Sequence, residues 1–153
     1  GSFPRLIDLG VNPKIMSSAI NIALAQRLVR KLCQNCKKEV VLVEGSREKK
    51  LIDENVAAIV DKASIPANTT KMWVATGCDQ CNQTGYKGRI GIYEGFKMTD
   101  EVNKTIEYSS SEEEIAKAAI PQGIMTMSQD GITKILQGVT SLEELERVIS
   151  LED

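Results

Sequence analysis

Histidine is absent from this 153-residue sequence, and aromatic residues make up only 4% of it. Without histidine the chain has no imidazole-dependent catalytic triad, no imidazole proton shuttle and no histidine metal ligand. The low aromatic content predicts a core of aliphatic side chains and alanine, and 42% hydrophobic residues suffice to bury a modest core. We therefore expect one medium-sized domain or two small ones.

Long apolar runs are also missing. No stretch approaches the ~20 consecutive apolar residues of a membrane-spanning helix, and the sequence does not open with a secretory signal pattern. We therefore expect a soluble, cytosolic protein. Gly1 and Ser2 are expected to be the remnant of a removed expression tag, and the remainder an excised piece of a longer chain.

Charge is unevenly distributed, although the formal net charge is only -2. Residues 1–50 carry ten Lys/Arg against four Asp/Glu, whereas residues 51–153 carry nine against seventeen. A slightly acidic chain has no overall electrostatic reason to bind nucleic acid, but its basic first third can meet an acidic surface.

The periodicity of the first third predicts an amphipathic helix from Pro13 to Leu32. Asn12 can cap its N-terminus, and proline suits the first turn. Apolar side chains recur at every fourth position of this segment, at Met16, Ile20, Leu24 and Leu28.

The rest of the chain is predicted to be helix-rich with a few short strands, which gives an α+β fold. Ser111 with Glu114 and Ser141 with Glu144 have the spacing of capping boxes at helix N-termini. Strands are predicted over 40–43, 71–75 and 89–96, and helices over 48–62, 100–107, 112–119, 128–137 and 142–150.

Two C-x-x-C pairs, separated by 41 residues, are the most specific motif. Each pair can present two thiolates from one tight turn, and four thiolates complete a tetrahedron around zinc. The sequence therefore predicts a zinc site formed by Cys33, Cys36, Cys78 and Cys81. Gly85, shortly after the second pair, allows backbone N–H groups to approach the sulfurs. Because four thiolates leave no open coordination position, the site is expected to be structural.

Three other states of the cysteines are less favoured. Disulfides need an oxidising compartment, which nothing in the sequence indicates. An iron ion bound by four thiolates has the same geometry, but such redox sites are usually compact. The long charged segment between the two cysteine pairs has no obvious role in electron transfer. The third state is four cysteines that bind no metal and form no disulfide.

Several cations lie near the cysteines in sequence, and their simplest role is to offset the negative charge of the thiolates. They are Lys31, Lys37, Lys38, Lys87 and Arg89.

Four further segments occur in a fixed order and resemble the C-terminal region of the type II secretion and type IV pilus assembly ATPases. They are AQRLVRKLC at 25–33, TGYKGRIGIYE at 84–94, Asp130-Gly131, and GVTSLEEL at 138–145. The opening RLIDLGV at 5–11 is similar to the segment that follows the catalytic motifs of those motors. The resemblance covers nearly the whole chain and is weakest over 44–72.

The resemblance implies a hexameric cytoplasmic motor with an ATP-hydrolysing RecA-like domain, of which this chain would be the C-terminal part. Residues 1–32 would be the terminal helix region of that domain, and residues 86–98 its terminal strand. Residues 33–85 would be an inserted zinc-binding subdomain, and residues 99–153 a small C-terminal helical subdomain.

The same resemblance implies that Arg89 lies near nucleotide phosphates in the longer motor, where ATP and Mg²⁺ would be bound. Guanidinium suits this role because it is always charged and offers paired donors to phosphate oxygens. Pairing with Glu94, or offsetting the thiolates, is an equally plausible role in this chain alone. A phosphate loop of the form G-x-x-x-x-G-K-[ST] is absent, so we expect that the chain alone neither binds ATP tightly nor hydrolyses it.

The implied function is a structural and docking module of a secretion or pilus motor. Its expected partners are inner-membrane platform proteins and neighbouring hexamer subunits, which would place it at the cytoplasmic face of the bacterial inner membrane. The main alternative is a zinc-ribbon nucleic-acid-binding or transcription-associated domain, based on the basic first third. Too few aromatic residues are present for a stacking platform. A chaperone zinc knuckle is a weaker alternative, because the spacing differs.

Overall fold

The computed structural model describes residues 2–109 and 111–151, which form seven α-helices and four strands. Gly1 lies outside the described residues, and Ser2 is the first residue of a helix. The predicted α+β class is confirmed. The helices are α1 Ser2–Asp8, α2 Pro13–Ala19, α3 Arg47–Ala58, α4 Asp100–Tyr108, α5 Glu112–Ala119, α6 Met127–Leu136 and α7 Leu142–Val148. The strands are β1 Ile22–Leu32, β2 Lys38–Val41, β3 Lys71–Val74 and β4 Tyr86–Lys97.

The helix predicted over 13–32 is wrong beyond Ala19. Helix α2 ends there, Ile20 is extended, and the following residues form β1, which pairs with β4. Alanine, leucine, glutamine and arginine favour helix, but apolar residues at 22, 24 and 28 also fit the two-residue period of a strand. Pairing with β4 favours the strand over the helix in this segment. The description of residues 1–32 as a helix region is therefore corrected.

The helices predicted in the last third agree with α4 to α7, but their capping is different. Ser111 is the N-cap of α5 without a side-chain capping hydrogen bond. Ser141 Oγ accepts from the Glu144 N–H at 3.2 Å, whereas the Glu144 carboxylate binds arginines instead of the serine N–H. Helix α6 has a reciprocal capping box between Thr126 and Gln129, which the sequence analysis missed.

The chain divides into two compact units. The first unit lies within residues 2–24 and 95–124 and contains α1, α2, α4 and α5. Helix α4 packs against both α2 and α5. The core of this unit is small and aliphatic apart from one phenylalanine, and its buried members are Phe3, Met16, Val102, Ile106 and Ile115.

The second unit lies within residues 25–94 and 125–151 and contains α3, α6, α7, β2 and β3. Strands β2 and β3 are antiparallel, with Lys38 opposite Val74 and Val41 opposite Lys71. Helix α6 packs against α3, β3 and α7. The fully buried centre of the unit comprises Val29, Ile52, Ile92, Ile132, Ile135 and Leu145. Among the described residues, no helix is long and apolar enough to cross a membrane.

Candidate metal centre and adjoining arginine cluster

Both cysteine pairs lie in turns at strand ends of the second unit. Cys33 directly follows β1, and Cys36 precedes β2. Cys78 caps a short 3-10 helix that contains Cys81, and this turn lies between β3 and β4. Folding therefore brings together two turns that are more than 40 residues apart in sequence.

The four sulfur atoms all lie within 4.8 Å of one another. The Cys33 and Cys78 Sγ atoms are 3.9 Å apart, Cys36 and Cys81 are 3.8 Å apart, and Cys78 and Cys81 are 3.7 Å apart. A tetrahedron with metal–sulfur bonds of ~2.3 Å has edges of about 3.8 Å. The donor set and its spacing therefore fit a tetrahedral metal ion, and all four cysteines are free rather than disulfide-bonded.

Backbone N–H groups lower the pKa of the Cys81 thiol. The Cys78 and Gly85 N–H groups each donate to Cys81 Sγ at 3.2 Å. Burial raises the pKa of the Cys81 thiol, but these two donors outweigh it and lower the pKa to about 6. Burial also dominates at Cys78 and raises the pKa of that thiol to about 11. The predicted approach of a glycine N–H to a sulfur is confirmed at Gly85.

Gly85 is required by the local geometry of the second turn. Its φ is +76°, and a Cβ placed there would lie 2.6 Å from the Ala75 Cβ. Asn82 and Gln83 also have positive φ, so the chain turns sharply just after Cys81. The Cys33 N–H donates to the Gly85 carbonyl at 2.9 Å, which joins the first cysteine turn to the second.

Lys37 directly follows the first cysteine turn, but its ammonium group contacts residues outside the two cysteine turns. Its Nζ donates to the Gly138 carbonyl at 2.9 Å and lies 5.2 Å from the centre of the Trp73 ring. This cation therefore links the cysteine turn to the segment between α6 and α7.

Two arginines cluster around Glu144 of α7, and this cluster was not predicted. The Glu144 side chain is fully buried and binds Arg30 at 2.6 Å and Arg147 at 2.8 Å. Burial alone would raise the pKa of Glu144, but hydrogen bonds from Arg147 and Arg30 lower it to about 2. The Arg30 guanidinium also lies 4.1 Å from the centre of the Tyr86 ring. The sequence signal was an arginine three residues after the glutamate, on one helix face.

Arg89 lies on an exposed part of β4. It lines a cavity of about 420 Å³ together with Leu28, Arg30 and Arg147. Arg89 is not paired with Glu94, since the Glu94 Oε2 atom instead accepts from the Met127 N–H at 3.0 Å. The structure does not place Arg89 in contact with the cysteine sulfurs.

The fold and the site together define a small α+β module with a tetracysteine cluster that can hold a metal ion. Residues 1–147 match the model of the family described as "Type II/IV secretion system protein". The chain belongs to this family.

Individual relatives agree with this assignment. The type IV pilus assembly ATPase PilB of Pseudomonas aeruginosa is 37% identical over 150 residues, which cover 94% of this chain and 24% of that protein. The type II secretion system protein E of the same organism is 39% identical over 150 residues, covering 97% and 27%. Protein E of Dickeya dadantii is 36% identical over 152 residues, covering 99% and 28%. The chain thus spans about a quarter of the length of these relatives.

Proposed function

We propose that this chain is a zinc-stabilised C-terminal module of a cytoplasmic hexameric ATPase motor that powers type II protein secretion or type IV pilus assembly. The observation that carries the zinc assignment is the cluster of four free cysteine sulfurs within 4.8 Å of one another. Zinc would be structural, because four thiolates fill its tetrahedral coordination. It would fix the turn at 33–36 against the turn at 78–81.

The proposed role in the motor is structural coupling and docking. Residues 1–32 and 86–98 would complete a RecA-like sheet, residues 33–85 would form the zinc subdomain, and residues 99–153 the helical end. The pairing of β1 with β4 supports the placement of residues 1–32 and 86–98 in one sheet. The exposure of β1 does so too, because Leu24 is 70% exposed and Leu28 is 49% exposed, as expected of a strand that a larger domain covers. The two compact units do not follow the other proposed boundaries, since they divide the helical end after residue 124.

In the longer motor, Arg89 is proposed to contact nucleotide phosphates, with ATP and Mg²⁺ bound mainly by other segments. Neighbouring subunits and inner-membrane platform proteins are the proposed partners. They would hold the motor at the cytoplasmic face of the membrane.

Contacts of the basic residues weaken the nucleic-acid alternative. The Arg27 guanidinium donates to the Val148 carbonyl, and the Arg30 guanidinium binds Glu144. Lys37 binds the Gly138 carbonyl. Three of the cations on which that alternative depends are therefore engaged within the chain.

Elemental analysis tests the zinc assignment. Protein prepared with zinc present is expected to contain one zinc ion per chain, and Cys78→Ser is expected to lose most of it, because removal of one thiolate leaves an incomplete tetrahedron. Gln80→Ala is the matched control, since Gln80 is exposed and lies in the same turn between the two cysteines. Iron in place of zinc, or no bound metal in the unsubstituted protein, would contradict the assignment.

The motor assignment needs a longer chain that contains this module and a phosphate loop. Such a chain is expected to form hexamers in analytical ultracentrifugation and to hydrolyse ATP. Cys78→Ser is expected to lower the rate, whereas Gln80→Ala is expected to preserve it. A monomeric longer chain without ATPase activity would argue against the motor.

A further inference from the structure

The two-stranded sheet of β2 and β3 has one closed edge and one open edge. Among the described residues each of these strands pairs only with the other, so each has an outer edge. Asn68 closes the edge of β3, because its side-chain amide donates to the Lys71 carbonyl at 2.9 Å and accepts from the Lys71 N–H at 3.1 Å. The same amide also donates to the Leu136 carbonyl at 2.8 Å. Asn68 thus takes the place of a neighbouring strand beside β3.

The register shows which backbone groups of β2 face its outer edge. The Leu42 N–H donates to the Thr70 carbonyl at 2.8 Å, so this pair and every second pair before it are the hydrogen-bonded pairs of the ladder. Glu39 and Val41 alternate with these pairs, and their N–H and C=O groups therefore point away from β3. In the part of the chain that the structure describes, neither residue forms a backbone hydrogen bond outside the sheet. The edge of β2 is open.

Exposed apolar side chains follow this open edge. Val41 is 62% exposed and Val43 is 66% exposed, and a spacing of two residues places them on one face of the extended segment. Glu39, on the same face, is already paired with Lys71 of β3 at 2.8 Å. Residues 38–43 contain no proline to block pairing. An open edge beside apolar side chains is a template for the addition of another strand.

We propose that this edge binds the same edge of a second copy of the chain, with the two β2 strands antiparallel and Val41 of one copy opposite Val41 of the other. Residues at equal distance from Val41 then face each other, so that Lys38 lies opposite Glu44 of the second copy and Val40 opposite Leu42. The contact is two-fold symmetric, and the pairing of Lys38 with Glu44 occurs at both of its ends. This charge complementarity is the reason to assign the edge to a second copy.

Lys38 and Glu44 are both available for this contact. Lys38 is exposed, and the Glu44 side chain is 88% exposed. Glu44 lies 3.8 Å from the Lys49 ammonium, but Asp53 binds that ammonium more closely, at 2.5 Å. Lys49 therefore keeps a carboxylate partner when Glu44 turns to the second copy. The new backbone bonds come from the odd-numbered residues, and side chains approach most closely at the pairs between them, such as Lys38 with Glu44.

The contact is expected to be weak and reversible, because a single short strand buries little area. It concerns two copies of this chain and does not depend on the proposed motor function.

Sedimentation equilibrium of the zinc-loaded chain over a series of concentrations tests the contact, and a monomer–dimer equilibrium is expected. Lys38→Glu and Glu44→Lys are each expected to weaken the dimer about tenfold, since like charges then oppose each other at both ends. An equimolar mixture of these two variants is expected to form a heterodimer, because both ends again pair opposite charges. Lys50→Glu is the matched control, since Lys50 is an exposed cation of α3 outside the edge. It is expected to leave the dimer unchanged.

A proline at the centre of the edge tests the backbone contact. Val41→Pro removes an N–H that faces the open edge and leaves the bonds to β3 in place, so the dimer is expected to weaken at least about tenfold. Val41→Thr keeps the N–H and the β-branched shape, and is expected to preserve the dimer. Thermal melting checks that each variant is folded. If Val41→Pro does not fold, the mixture of charge variants decides.

Three results would overturn the proposal. The first is a chain that stays monomeric up to its solubility limit. The second is a dimer that Lys38→Glu weakens no more than Lys50→Glu does, or that the mixture of charge variants does not restore. The third is a dimer that persists in folded Val41→Pro. None of these outcomes bears on the zinc content or on the motor assignment.

Discussion

At the scale of single residues, Glu144 is the most deeply buried carboxylate within residues 2–109 and 111–151. Its carboxylate is fully buried and accepts hydrogen bonds from two guanidiniums and from the Arg30 backbone N–H at 2.9 Å. These partners hold the pKa of Glu144 at about 2, below the ordinary 4.5 of a glutamate. Since the depressed pKa belongs to the folded state, ionised Glu144 stabilises folding above the unfolded pKa, and this stabilisation is lost as the pH falls from about 4.5 towards 2.

Glu144→Gln is expected to lower the free energy of unfolding at neutral pH by on the order of 2–3 kcal/mol, because both guanidiniums lose their charged acceptor. Urea denaturation measures this. The difference from the unsubstituted protein is expected to shrink as the pH is lowered to about 3. Glu146→Gln is the matched control on the same helix, since the Arg47–Glu146 pair is more exposed and is expected to contribute below ~1 kcal/mol. A pH-independent difference, or equal effects of the two variants, would contradict the ionic account.

Residue types with few structural roles were the easiest to predict. Four cysteines in two C-x-x-C pairs could be assigned to one cluster, and the sulfurs do lie together. Glu144 was instead assigned to a capping box from its spacing to Ser141. That spacing describes contacts within one helix, whereas Arg30, one of the two arginines that bind the Glu144 carboxylate, lies 114 residues away. Sequence periodicity carries no information about such a distant ion pair.

At the scale of secondary structure, β1 shows where local patterns fail. Residues 22–32 satisfy the four-residue spacing of a helix and part of the two-residue spacing of a strand. The strand forms beside β4, where Gly95 permits a close approach: a Cβ there would lie 2.7 Å from the Ala23 carbonyl oxygen. The choice therefore depends on a partner more than 50 residues away. By contrast, α4 to α7 follow local periodicity, and α4, α6 and α7 also have side-chain caps, so their positions were predicted well.

Helix capping gives a direct test at this scale. Thr126→Ala is expected to destabilise the protein by about 1 kcal/mol, because the Thr126 Oγ1 atom accepts from the Gln129 N–H at the start of α6. Ser111→Ala is the comparison, since Ser111 occupies the same position of α5 without a capping bond and is expected to change stability by less than about 0.5 kcal/mol. Thermal denaturation followed by circular dichroism measures both. A larger loss in Ser111→Ala would show that the assigned capping contacts are not those that stabilise these helices.

At the scale of the whole molecule, the two units have separate hydrophobic cores. All four cysteines belong to the second unit, in which the first cysteine turn is bonded both to the second turn and to the segment after α6. None of the four cysteines lies in the first unit. The proposed metal is therefore expected to stabilise one unit selectively, because it binds only where the second unit is folded.

Removal of the metal by a chelator tests this selectivity. Amide NMR signals from 33–41 and 71–88 are expected to shift or broaden, whereas signals from α4 and α5 are expected to persist because their core holds no metal ligand. Trp73, the single tryptophan of the chain, reports the same event by fluorescence, since its ring lies beside Lys37, which directly follows Cys36. The chelator is expected to change nothing further in Cys81→Ser, in which the site is already incomplete. Unchanged spectra would refute a structural metal, and simultaneous loss of both sets of signals would show that the two units unfold as one.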